Sequence, residues 1–308
     1  MANGVVYIVS CCSNARVYAL DARTGRKLWT HRAGDGTYTP AVADGVVYLG
    51  PTDGKVYALN ANTGSLLWSY RTGSGDGDSI TSSPTVANGV VYVGSGDHNV
   101  YALNASTGAL LWSYTTGDAV DSSPAVANGI VYVGSYDGNI YALNASTGAK
   151  LWSYSTGWNV SSPAVANGVV YTGSGDSNLY ALNASTGALL WGYSTGGTYA
   201  YSSPAVANGV VYVGSFDGTV YALDASTGTL LWSYATGGSY MYSSPAVANG
   251  VLYYGSVGLY ALNASTGALL WNYATTEEFC SPAVANGFLY IGSDGGDFYA
   301  FGLPERRE

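Results

Sequence analysis

Two histidines, three cysteines, two methionines and ten basic side chains are spread over 308 residues, and each scarcity removes a class of chemistry. His31 and His98 lie in different repeats, so a histidine-rich zinc site is excluded, and no Cys-x-x-Cys spacing offers a thiolate one. Three cysteines are too few for a disulfide framework. The bases fall early, at Arg16, Arg23, Arg26, Lys27, Arg32, Lys55 and Arg71; only Lys150 then precedes Arg306 and Arg307. With a net charge of −9 and no basic stripe, nucleic acid is not an expected partner, because phosphate contacts need clustered Lys and Arg. No run of about 18 apolar residues occurs, so no membrane span is expected, and the residues from Met1 on are not expected to act as a secretory signal. Helical periodicity is missing as well: no 3.6-residue apolar period persists for about ten residues.

What is present is repetition. The segment Ser122 to Tyr154, SSPAVANGIVYVGSYDGNIYALNASTGAKLWSY, recurs roughly every 40 residues, the mark of a radial array of small sheets. One copy contains four strand-like runs: A (Ser123 to Val126), B (Ile130 to Ser135), C (Asn139 to Asn144) and D (Leu151 to Ser155). Asn128-Gly129 turns A into B. Asp137-Gly138 reads as a two-residue reversal between B and C, since both positions tolerate positive φ. The B–C hairpin is found eight times, ending at Tyr18, Tyr57, Tyr101, Tyr141, Tyr180, Tyr221, Tyr260 and Tyr299. The expected fold is therefore all-β, an eight-bladed β-propeller of four-stranded antiparallel blades closed into a ring; a seven-bladed one ranks second because it leaves a hairpin over. The first blade is expected to lack A and the last to lack D. One domain spans residues 1–308, with blades near 1–33, 34–73, 74–117, 118–157, 158–196, 197–237, 238–275 and 276–308.

Tyr-Ala-Leu-Asn-Ala-Ser-Thr-Gly-Ala-Leu-Leu-Trp (Tyr101 to Trp112) resembles the A-x-D-x-x-T-G-x-x-x-W motif of pyrroloquinoline-quinone (PQQ) type β-propeller repeats, the family of quinoprotein dehydrogenases and BamB-like propellers. Its aspartate is kept at Asp21 and Asp224 and is asparagine elsewhere, a swap expected to be structural because either side chain accepts a backbone hydrogen bond in the turn. The motif tryptophans, Trp29, Trp68, Trp112, Trp152, Trp191, Trp232 and Trp271, are expected to be buried docking residues between blades; each ring carries about 150–250 Å² to bury. The resemblance, with a hydroxyl-rich and lysine-poor composition, implies an extracytoplasmic or cell-surface location. It also raises the enzymatic alternative, a PQQ-dependent alcohol dehydrogenase with calcium, in which a vicinal cysteine pair lies beside the cofactor. Only Cys11-Cys12 carries over from that pattern; no cofactor-binding arginine, metal-ligand set or catalytic aspartate can be placed. Cys280 leaves three states open: thiols throughout, which is the first expectation, a bridge from Cys280 to Cys11 or Cys12 that latches blade eight to blade one, or a vicinal bridge.

Variation among copies is concentrated in the D–A and B–C loops, while the A–B and C–D turns hardly change. The D–A loops carry aromatics (Tyr38, Trp158, Tyr199, Tyr201, Tyr240, Tyr242, Phe279) and acids (Asp118, Asp121, Glu277, Glu278), a mixture suited to stacking on sugars or holding peptide or cationic ligands. These residues form the candidate ligand face, and the expected function is a non-enzymatic binding scaffold for a protein, peptide or carbohydrate, with no cofactor. An amplified or engineered repeat scaffold with no ligand is a further alternative. Other fragments carry less. The local spacing of Ser95, Asp97 and His98 is no evidence of a triad, which is recognised by geometry, Asp76-Gly77-Asp78 and Asp294-Gly295-Gly296-Asp297 fall short of a calcium loop, and the Asn-Ala-Ser sequons at Asn104, Asn144, Asn183 and Asn263 follow from the turn motif.

Overall fold

Asn-Gly pairs set the first reversal of the blades. In the computed structural model, which describes residues 1–10, 15–34, 36, 39–73, 75, 78–196, 202–238 and 243–303, Asn128 and Gly129 take φ of 50° and 76°. A two-residue hairpin loop with this twist needs that pair of left-handed conformations. Strand A (Ala125–Ala127) therefore turns at once into strand B (Ile130–Gly134), with Val126 opposite Val131. Strand C (Asn139–Asn144) pairs antiparallel with B, and strand D (Lys150–Ser155) with C.

The B–C reversal is wider than a two-residue loop. The Ser135 N–H donates to the Asn139 carbonyl at 3.0 Å, and of Asp137-Gly138 only Gly138 is left-handed, at φ 81°. Blades three and five place His98 (71°) and Ser177 (74°) at this position instead of glycine. The C–D turn is held by its first residue: Asn144 Oδ1 accepts the N–H groups of Ser146 and Thr147, both at 3.0 Å. Asp21 and Asp224 accept the matching pairs in their own turns, so either side chain serves.

Eight such sheets follow along the chain, every regular element among the described residues is a strand, and the fold is an eight-bladed β-propeller. Blade one consists of B, C and D (Val5–Val9, Arg16–Asp21, Lys27–Arg32) and blade eight of A, B and C (Ala283–Ala285, Phe288–Gly292, Phe298–Gly302). In blade seven B and C run as one element, Val251–Asn263, around a shorter tip, and D is long, Leu269–Glu278. The chain divides into two compact units, Met1–Gly157 with blades one to four and Trp158–Glu308 with blades five to eight.

Within each unit the same contacts join successive blades. The Trp112 indole N–H (2.9 Å) and the Tyr92 hydroxyl (3.1 Å) of blade three both donate to the Ala145 carbonyl in the C–D turn of blade four. Trp29 with Tyr7 does this to Ala61, and Trp68 with Tyr48 to Ala105. In the second unit Trp191 with Tyr171 reaches Ala225, and Trp232 with Tyr212 reaches Ala264. The glycine of the same turn lies under the indole. A Cβ on Gly148, whose φ is 72°, would come 2.7 Å from the Trp112 ring. Trp112, Trp191 and Trp232 are buried, whereas Trp29, Trp68, Trp152 and Trp271 keep part of the ring exposed. Behind the indole, Val133 and Leu143 of blade four pack with Tyr92 and Val100 of blade three. The A strands are joined through serine: the Ser83 N–H donates to Ser123 Oγ (2.9 Å), Ser203 to Ser244 (3.0 Å) and Ser244 to Ser281 (2.8 Å).

Two outcomes test this packing. Trp112→Ala should cost about 3–5 kcal/mol as a large-to-small core change. Gly148→Ala alone should cost about 1–3 kcal/mol, but clearly less in the Trp112→Ala background, where the clashing ring is gone; additive losses in denaturant melts would refute the contact. Tyr254, where other B strands carry Val, Leu, Ile or Thr, is wholly buried and its hydroxyl has no hydrogen-bond partner among the described residues. Tyr254→Phe should therefore raise stability by about 1 kcal/mol, because an unsatisfied buried hydroxyl is a net cost; a loss on thermal or urea unfolding would mean the hydroxyl is satisfied.

Candidate functional site

Alternating strand direction puts the D–A and B–C connections at one end of each blade. The B–C tips there are built around an aspartate. Tyr57, Tyr101, Tyr141, Tyr180 and Tyr221 of the C strands donate their hydroxyls to Asp53, Asp97, Asp137, Asp176 and Asp217 at 2.5–2.6 Å. Asp137 also accepts the N–H groups of Asn139 (2.9 Å) and Gly117 (2.7 Å), the latter from the loop that follows the D strand of blade three, Leu110–Thr115. Burial by itself would raise the Asp137 carboxyl, but the hydrogen bonds from Tyr141, Gly117 and Asn139 outweigh it and hold the group below its ordinary value. Burial pushes the Tyr141 phenol up, and the adjoining carboxylate adds to it. These aspartates close tips. Asp97 is thus engaged by Tyr101 and by the Asn99 N–H, not by His98.

The D–A connections are anchored by apolar residues that periodicity does not flag. Ile80 and Val120 are fully buried and Val160 is 3% exposed. A Cβ on Gly50 would meet the Ile80 side chain at 2.3 Å, and one on Gly94 would meet Val120 at 2.5 Å. In these two loops the apolar residue is a plug seated on the glycine at the end of a B strand. The signal in the sequence is the pairing of that terminal glycine with a lone apolar residue just before Ser-Ser-Pro.

In the first unit, Asp118 accepts the Ala119 N–H at 2.7 Å and lies 3.7 Å from the His98 ring, both side chains being about half exposed. Asp121 accepts the Thr81 hydroxyl. Thr52, Asp53, Gly54, Arg71, Gly75, Asp78 and Ser79 line a polar cleft of about 250 Å³. In the second unit Trp158 is 56% exposed.

Glu277 and Glu278 are not in a loop. They end the long D strand of blade seven, where Glu278 faces Val257. Glu277 takes the hydroxyl of Tyr299 at 3.4 Å, and the Glu278 N–H reaches Asp294 at 3.0 Å. Phe279 is not a surface residue: it is 4% exposed, its bridge to Ser293 turns the ring inward, and it packs on Tyr299 at 5.4 Å and Tyr273 at 6.2 Å. Tyr38, Tyr199, Tyr201, Tyr240 and Tyr242 lie outside the described residues, as do Cys11 and Cys12. Cys280 is exposed, its carbonyl accepting the Ser243 hydroxyl at 3.2 Å.

Among the described residues no three His, Cys, Asp or Glu side chains gather closely enough to hold a metal ion. No helix is long and apolar enough to cross a membrane.

Fold and repeat together define the class, a PQQ-type eight-bladed β-propeller. The chain belongs to the family described as the β-propeller of the beta-alanine-activating enzyme, which matches residues 79–302. Residues 1–84 match a second family, described as outer membrane protein assembly factor BamB. No curated protein sequence matches significantly. Among solved structures, BamB from Moraxella catarrhalis has a TM-score of 0.83 at 23% identity, over 100% of this chain and 94% of that one. The computationally designed protein Ika8 has 0.86 at 20% identity, over 98% and 94%. A quinohemoprotein alcohol dehydrogenase from Pseudomonas putida has 0.77 at 19% identity, over 95% and 68%. At these identities the likeness is one of fold.

The depressed Asp137 pKa gives a pH test. A carboxyl held below its unfolded value, which is about 3.9, adds stability above that value and loses it as the pH falls through the lower folded one. Asp137→Asn should therefore be less stable than the parent at pH 7, with the gap narrowing below about pH 4. A gap that stays constant across a pH series of urea melts would show that the carboxylate charge plays no part.

Proposed function

We propose that this chain is a non-enzymatic, extracytoplasmic binding scaffold that engages a protein, peptide or carbohydrate at the end of the blades bearing the D–A and B–C loops. One observation carries the reading: Trp158 stands outside the repeat motif and is 56% exposed, while the motif tryptophans are buried or half-buried against neighbouring turns. An indole held in water at a loop is suited to stacking on a ligand. Tyr136 and Val257 at B–C tips, 40% and 41% exposed, support it in their own units. The match of residues 1–84 to an outer membrane protein assembly factor supports a protein ligand and a location outside the cytoplasm. A quinoprotein dehydrogenase reading has the fold in its favour.

A glycan and peptide array, read with and without calcium, tests this. Trp158→Ala should weaken the strongest array signal several-fold with little change in melting temperature, since an exposed loop side chain carries little of the core. No signal on either array, or a signal that Trp158→Ala leaves intact, would remove the support. PQQ with calcium should give neither dye reduction nor a thermal shift, whereas a ligand at 100 times its Kd would add about 2.7 kcal/mol.

A further inference from the structure

Charge is divided unevenly along the chain. Residues 1–73 hold seven lysines and arginines against four acids, whereas the remainder holds three against fifteen. Four of the seven occupy one place in the repeat, the pair formed by the first residue of strand C and the last of strand D. In blade one this pair is Arg16 opposite Arg32, and in blade two Lys55 opposite Arg71. Blades three to six hold uncharged pairs there, as Asn139 with Ser155 in blade four. Like charges directly opposite each other weaken a ladder, so the fold is better served by the neutral pairs. Edge protection accounts for only half of the arrangement. One cation on the open D strand is enough to deter a stray strand, as with Lys27 opposite Leu20 and Lys150 opposite Leu143. Arg16 and Lys55 sit one strand further in, where no edge needs guarding.

We propose that blades one and two present a receptor for an acidic peptide segment of another protein, its carboxylates meeting Arg16, Arg32, Lys55 and Arg71. Arg16, Arg32 and Arg71 are exposed and Lys55 is half-buried. Among the described residues Arg16, Lys55 and Arg71 form no ion pair. The Lys55 ammonium lies 6.0 Å from the centre of the Tyr57 ring. The Arg71 guanidinium lies along the blade-two tip, 3.7 Å from where a Cβ on Gly54 would stand, and lines the cleft of about 250 Å³. A carboxylate entering that cleft would meet a planar fork of donors suited to bidentate pairing. Separate carboxylates suit the place better than a continuous anionic surface does. Asp53 and Asp78 line the same cleft, and the chain's net charge of −9 opposes a dense polyanion or an anionic membrane. A peptide can space its acids to meet the cations and avoid the aspartates. The site belongs to the first unit and shares no residue with the reading built on Trp158, so either can fail alone.

The probe is a fluorescein-labelled nonapeptide of alternating serine and glutamate, which in extended form sets every carboxylate on one face. Titrated into the full chain by fluorescence anisotropy at low salt, it should bind saturably, with an affinity that falls as salt rises. The glutamine version should bind at least about ten-fold more weakly. Giving blades one and two the neutral pair of blade four, through Arg16→Asn, Arg32→Ser, Lys55→Asn and Arg71→Ser, should weaken the peptide at least about ten-fold and flatten the salt dependence. These four changes should not lower the melting temperature, because they remove two like-charge pairs. Lys150→Ser, which removes a cation elsewhere in the same unit, should leave binding unchanged. Absence of saturable binding, equal binding of the glutamine peptide, a quadruple variant that keeps its affinity or melts lower, or an equal loss from Lys150→Ser would overturn the proposal. So would tighter binding of a heparin oligosaccharide or of anionic lipid vesicles, since the cations would then serve a different class of partner.

Discussion

A carbonyl oxygen has two lone pairs, and burying it with either one unmet is costly. At Ala61, Ala105, Ala145, Ala225 and Ala264 both are taken by the preceding blade, one by a tyrosine hydroxyl and one by an indole N–H. The geometry leaves little freedom. The indole must lie flat against the turn to reach the oxygen, so the residue beneath it must be glycine. The turn must present its alanine carbonyl outward, so its first residue must be one that closes an Asx turn. Four positions far apart in the repeat are thereby bound to one acceptor, and only the turn's first residue varies, between Asn and Asp.

The two ends of a blade answer to different demands. At the C–D end nearly every side chain is committed to this contact or to the turn that presents it. At the D–A and B–C end the commitment is narrower: an aspartate to hold the tip, a glycine to finish strand B, and an apolar plug to seat the loop. Positions between these anchors are open to change without loss of the frame. Blade seven shows how far that goes. It has no tip aspartate, and the Tyr260 hydroxyl turns instead to the Thr236 carbonyl of the blade before it, at 2.8 Å. Blade eight replaces the same carboxylate with one from the preceding D strand, Glu277.

Much of this frame was legible because turn chemistry and strand period are local. Asn128-Gly129 located the first hairpin, and the predicted limits of strand C, Asn139–Asn144, coincide with those observed. The absence of strand A from blade one and of strand D from blade eight could be read the same way. Partners were not legible. Constancy of Tyr92, Trp112 and Gly148 shows that each is needed, but only coordinates show that they meet, because the contact joins different blades. The Asp137–Tyr141 pair was missed for a related reason: the tyrosine was read only as a marker of the hairpin and the aspartate as a turn former, though their spacing across the hairpin brings them together. Phe279 was misjudged because an aromatic in a variable loop was taken to face water, when Val160 holds the same bridging position against Ser174 in blade five and is buried too.

The left-handed residue at the B–C tip has a further consequence for diversification. Glycine is the unstrained occupant, yet His98 and Ser177 stand there at φ 71° and 74°. A non-glycine side chain in that conformation costs roughly 1–2 kcal/mol, small beside the many inter-blade contacts that hold each sheet. A chain whose blades are this redundant can absorb such a penalty at several tips at once. Stability that the repeat accumulates along the body of the blade is thus convertible into chemical variety at its end, one tip at a time.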